Sequence, residues 1–235
     1  MSHESLEFVP DEFLANDPDC PVFGLNLACA YPFPANVADN YNAMASRLAA
    51  LDDGVYIYPV WETHVTIITF LSFRLHPRPS AEVLASLHAC IDPITRLLQT
   101  VIDTKAVAPF QLEFHAPVLT RQAAILPVSN PSGEIAQVRK LVGRSLEGDK
   151  ELHRRLLREG LNVPGIVHST IMRFKKAPSD SQSFSAGFAA VAVATPSFAI
   201  SVREFFLTTE TKPYMRDGGI VHRFELAGRP STQKH

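Results

Sequence analysis

With 235 residues, 46% hydrophobic and 20% charged, the chain can bury a sizeable core, which argues against disorder along its length. Its formal net charge of -2 argues against a protein that grips a DNA duplex or any long nucleic-acid backbone, since that task needs a large basic surface. Cys20, Cys29 and Cys90 show neither a CxxC pair nor zinc-ligand spacing, so no disulfide framework or cysteine metal site is expected, and a reducing, cytoplasmic compartment fits best.

Residues 1–21 are expected to form an acidic, proline-containing N-terminal extension, without the basic and apolar regions of a secretory signal. The longest small-apolar run, residues 188–194, falls far short of the roughly 20 residues that span a bilayer, so no membrane partner is expected. Residues 22–31 read as a buried strand between Pro21 and Pro32, and residues 36–51 as a helix capped by Asn36 and stopped at Asp52-Asp53-Gly54. Residues 55–73 are aromatic and β-branched, with Pro59 dividing an entry segment from a strand around His64. Residues 80–102 predict one helix capped by Ser80.

Residues 110–117 and 123–128 predict two strands joined as a hairpin, and residues 133–161 predict either one broken helix or two. A strand is expected over 162–174, a helix over 183–194, and strands over 198–208 and 220–226 flanking a turn-rich loop at 210–219. Residues 228–235 read as a frayed tail. The order strand, helix, His-bearing strand, helix thus occurs twice, which predicts two related lobes in a single domain over 22–227.

His64-Val65-Thr66-Ile67 and His168-Ser169-Thr170-Ile171 share one form. In a strand, alternate side chains share a face, so each His stands beside its Thr at about 6.5 to 7 Å along the strand. A lone motif of this kind would more often be a packed strand histidine; the second copy shifts the balance toward function. Two imidazoles can divide the work of general base and general acid near neutrality, and two hydroxyls can donate to the non-bridging oxygens of a phosphodiester.

The two motifs resemble the repeated H-apolar-[Ser/Thr]-apolar signature of the two-histidine (2H) phosphoesterase superfamily, which includes 2'-5' RNA ligase-like proteins and 2',3'-cyclic nucleotide phosphodiesterases. Ser169 departs from the apolar second position. The resemblance implies a bilobal α+β fold with a pseudo-twofold axis and the motifs facing one cleft. His64 and His168 would then be the catalytic pair and Thr66 and Thr170 the phosphate-binding residues, with no cofactor and no metal. A monomeric protein acting on a nucleotide or RNA end is expected.

Tyr214 and Arg216, in the polar loop 211–218, and Tyr31 are further candidate substrate contacts, although Tyr31, Tyr56, Tyr58 and Trp61 sit where aromatic rings more often pack. Arg173 has the wrong strand parity to share a face with His168 unless a bulge intervenes. The basic groups Arg154, Arg155, Arg158 and Arg173, Lys175, Lys176 read as solvated surface, and His76, His88, His115, His153 and His222 as structural or exposed. Two rival readings remain at this point: a zinc hydrolase, which lacks the further ligands of an HExxH or HxH cluster, and a catalytically idle module that holds a nucleotide or RNA end.

Overall fold

A computed structural model describes residues 7–105 and 107–227; the first six residues and the tail expected at 228–235 lie outside the described residues. The elements are α1 (Glu12–Asn16), β1 (Gly24–Cys29), α2 (Ala35–Ala49), β2 (Val55–Ile57), β3 (Val65–Leu71), α3 (Ala81–His88), α4 (Ile91–Lys105), β4 (Phe110–Phe114), β5 (Val118–Leu119), β6 (Ala123–Ser129), α5 (Glu134–Gly148), α6 (Lys150–Arg158), β7 (His168–Phe174), α7 (Ser181–Val193), β8 (Phe198–Val202), β9 (Glu204–Glu210) and β10 (Gly219–Glu225).

The strands form two antiparallel sheets, making a two-lobed α+β fold. One sheet runs β10-β9-β1-β3; the other runs β2-β7-β6-β4-β8, with β5 paired to β6. The lobes are not successive halves of the chain. α2 and β2 cross to the second lobe, where β2 pairs with β7 and α2 packs against α7, while β9 and β10 return from the C-terminal part to the first sheet. Strand β1 is buried at every position because it lies between β9 and β3 with both faces covered, which suits a run that is apolar but for Asn26.

The helices follow their apolar spacing. In α5, Ile135, Val138, Val142 and Leu146 are buried at intervals of three and four, and each such burial is worth about 2 kcal/mol. The single helix expected over 80–102 is instead α3 and α4, with the break at Ala89 and Cys90. Pro93 explains it: without an N–H, proline cannot donate back to residue 89, but it is tolerated in the first turn of a new helix. Ser80 does cap α3, accepting from Val83 N at 3.2 Å. The α2 cap expected at Asn36 is displaced to Pro34, which makes no side-chain cap bond. The strand expected over 198–208 divides at Arg203 into β8 and β9, one in each sheet.

Asp149 separates α5 from α6 and caps the latter through Leu152 N at 3.0 Å. Gly160 follows the C-cap of α6, Glu159; its φ of +84° suits a residue without a β-carbon, and a Cβ there would lie 2.6 Å from Ser72 Cβ. The chain then runs onto β3, where Asn162 and Thr69 exchange backbone hydrogen bonds of 2.8 and 2.9 Å. That docking binds the approach to His168 to the strand that follows His64. The strand expected over 162–174 therefore begins only at His168, because residues before it serve this crossing.

Residues 8–22 pack closely on the body. Phe8 is buried against Phe174 and Phe184, and Phe13 and Leu14 of α1 join Cys20, Val22, Tyr58, Phe73 and Tyr214 in a second apolar cluster.

Candidate active site

His64 immediately precedes β3 and His168 opens β7. Their side chains, with those of Thr66 and Thr170, line one cleft of about 410 Å³. Strand pairing explains the shared orientation. Val65 and Ser169 are fully buried, so the residues on either side of each, His and Thr, face outward into the cleft.

Past the threonines, strict alternation fails in both strands by the same device. The β1–β3 register runs from Ala28↔Thr66 to Leu27↔Ile68, skipping Ile67, and the β6–β7 register runs from Ile125↔Thr170 to Ala124↔Met172, skipping Ile171. Each bulge buries two consecutive apolar residues and then returns the next side chain to the cleft. Those side chains are Thr69 and Arg173, both in the cleft wall. Arg173 is thus a site residue that parity alone turned the wrong way. A further skip at Phe70 brings Ser72 to the same wall.

Nδ1 of His64 lies 2.8 Å from the Glu62 carbonyl oxygen. A carbonyl can only accept, so in the neutral ring Nδ1 carries the hydrogen and Nε2 keeps a lone pair. Burial lowers the His64 pKa below 6.5, and the charge of His168 lowers it further, while the Glu62 carbonyl opposes them. The His168 pKa is also lowered, by burial first and then by the Arg173 and Arg139 guanidiniums. Its Nδ1 is buried without a hydrogen bond of ordinary geometry, although the Ile166 carbonyl still favours the protonated ring electrostatically. Tyr31 stands edge-on to His64, with ring centroids 6.0 Å apart, and also borders an adjoining hollow of about 160 Å³.

The floor of the cleft is cationic and aromatic. The Arg173 guanidinium lies 4.1 Å from the Tyr214 ring centroid, donates to the Tyr58 hydroxyl at 3.2 Å and reaches the Asp11 carboxylate at 3.4 Å. Arg74 donates to the Tyr214 hydroxyl at 2.9 Å and covers the Phe73 ring at 5.4 Å. Tyr214 in turn donates to Asp11. Glu210 and Asn26 complete that end of the wall, both buried, and burial pushes the Glu210 carboxyl up to about 7.

Of the three lesser candidates, Tyr214 lines this cleft, whereas Tyr31 touches His64 from beside it. Arg216 is outside the cleft wall: it donates to the Pro18 carbonyl at 2.6 Å, pairs with Asp19 and covers the Tyr56 ring. Its loop bends back at Tyr214, Met215 and Asp217, all with positive φ, so that Tyr214 points inward while Arg216 meets the N-terminal segment. Tyr58 is buried as expected, but Trp61 is 66% exposed and packs little. The basic residues Lys175 and Lys176 are exposed, unlike Arg173 two positions earlier.

No known family model matches the sequence, and no curated protein matches it. Solved structures do. TT0787 of Thermus thermophilus matches with a TM-score of 0.58 and 16% identity over 88% of this chain and 100% of that one. E. coli LigT in its apo form matches at 0.50 and 16% identity, over 88% and 98% of the two chains. A protein described as a phosphoesterase matches at 0.50 and 15%, over 86% and 98%. The chain shares the fold of these structures. In this fold the two lobes meet where β3 packs against β7, which is where the paired motifs lie. No helix among the described residues is long and apolar enough to cross a membrane.

Proposed function

We propose that the chain, with residues 22–227 as one bilobal domain, is a phosphodiesterase that uses His64 and His168 as an acid–base pair on a cyclic nucleotide or RNA-terminal phosphodiester. The observation that carries this reading is the convergence of two His-x-Thr strands on one cleft beside a guanidinium. One imidazole, neutral, takes a proton from the attacking water; the other, protonated, gives one to the departing ribose oxygen. Water adds to phosphorus, the P–O bond to that oxygen breaks, and a phosphomonoester results.

Thr66 and Thr170 donate hydrogen bonds to the non-bridging oxygens as charge gathers there, and Arg173 supplies a delocalised positive charge from the same wall. The cleft offers aromatic edges at Tyr214 and Phe73 for a ribose or base. Among the described residues no group of three His, Cys, Asp or Glu side chains converges as a ligand set, which favours acid–base over zinc chemistry for these imidazoles.

The test is hydrolysis of 2',3'-cyclic AMP in EDTA, followed by detection of the monophosphate. Turnover that survives chelation and is lost in both His64→Ala and His168→Ala supports the mechanism. Turnover that requires added zinc points to the metal hydrolase, and tight nucleotide binding without turnover points to the idle module.

A further inference from the structure

The segment before β1 crosses both lobes and inserts one carboxylate beneath the cleft. Asp11 is 7% exposed. Its Oδ1 caps α1, accepting from Phe13 N and Leu14 N at 3.1 Å each, and its backbone N–H donates to the Phe174 carbonyl of β7 at 2.8 Å. Its Oδ2 faces three groups of the cleft wall: Arg173 at 3.4 Å, Arg74 at 3.8 Å and the Tyr214 hydroxyl. A helix cap on an exposed surface needs no such neighbours. The carboxylate belongs electrostatically to the site, although it does not line it.

The cleft wall carries two guanidiniums and one carboxyl, Glu210, so without Asp11 it would keep a net positive charge whether or not Glu210 is ionised. A site so charged holds a dianion better than a monoanion, because each unit of ligand charge gains the same attraction. The proposed substrate and product differ in just this respect: a phosphodiester carries one negative charge, while the monoester formed by adding water loses a second proton with a pKa near 6. We propose that Asp11 is a charge-setting residue that offsets the guanidiniums so that the cleft favours the monoanionic diester over the dianionic monoester, limiting retention of product. This inference rests on the phosphodiesterase reading above, and it assigns the N-terminal segment a part in ligand selection.

The experiment measures, by calorimetry at pH 7.5, the affinities of 2',3'-cyclic AMP and 2'-AMP for the His64→Ala/His168→Ala protein, which cannot turn either over, with and without Asp11→Asn. Asparagine keeps the capping oxygen, so α1 stays capped. Loss of the charge is expected to strengthen 2'-AMP relative to the cyclic ligand by about tenfold. A merely structural role for Asp11 would weaken both ligands together and leave their ratio alone. An unmoved ratio, or binding of neither ligand, overturns the inference. Asp11→Ser, which also caps helices, repeats the measurement should the asparagine variant melt early. Wild-type turnover decides the phosphodiesterase reading separately: a protein that binds both ligands with the expected shift but hydrolyses nothing sinks that reading alone.

Discussion

Thr69 and Arg173 occupy matching places in the two lobes, each five residues beyond its histidine and each returned to the cleft by a bulge that buries the two apolar residues before it. The lobes therefore present His, Thr and a third polar group in the same order, but one third group is a neutral hydroxyl and the other a guanidinium. Of these matched positions only the one on the His168 strand carries a cation; the second guanidinium of the cleft, Arg74, comes from beyond the end of β3.

Arg173 should accordingly matter for both stability and catalysis. Arg173→Met removes the closest cation to the buried Asp11 carboxylate, and breaking a buried pair of this kind costs about 3 kcal/mol. Chemical denaturation should show that loss, and steady-state kinetics at a temperature where the variant is folded should show kcat/KM at least tenfold lower. Undiminished kcat/KM in folded protein would remove Arg173 from the mechanism.

Thr66→Val and Thr170→Val keep the β-branched shape that a strand accepts and delete only the hydroxyl. Each is expected to lower kcat by about a hundredfold, the value of one well-placed donor to a developing oxyanion, with little change in melting temperature. Rates equal to wild type in both would leave the hydroxyls without a catalytic part.

The profile of kcat/KM against pH should be bell-shaped, with its maximum on the acid side of 6.5. Both imidazoles have pKa values lowered by burial, and the free enzyme must hold one of them protonated. As pH rises through the lowered value the acid is lost and the rate falls; as pH falls further the base is lost. A maximum above pH 7.5 would contradict this assignment.

Glu210 predicts a stability effect of the opposite dependence to the usual surface carboxylate. Its folded pKa is raised to about 7 from 4.5, so between those values the folded state binds more protons than the unfolded one, and stability falls as pH rises through that window. Glu210→Gln keeps an acceptor for Met215 N and removes the ionisation. Relative to wild type it should gain stability on the order of 3 kcal/mol at pH 8 and almost none at pH 4.5. Parallel melting curves for the two proteins across that range would show that the carboxyl is not held as its burial implies.

The sequence alone carried the repeated motif, because a period-two strand puts His and Thr on one face whatever else surrounds them. Most elements were also legible, because their apolar spacing is local: α5 could be read from Ile135, Val138, Val142 and Leu146 without knowing what they would touch. Three things were not. The bulges at Ile67 and Ile171 depend on partner strands β1 and β6, so Arg173 could not be turned into the cleft from its parity. The exchange of α2 and β2 for β9 and β10 depends on which sheet edges lie open after folding, a non-local matter, so two successive halves looked like two lobes. Asp11 is 162 residues from Arg173 and 203 from Tyr214, and no local pattern couples an acidic cap to a distant guanidinium. The residues written in one strand were decided by backbone geometry; those gathered from several elements were decided only by the packing of the two lobes.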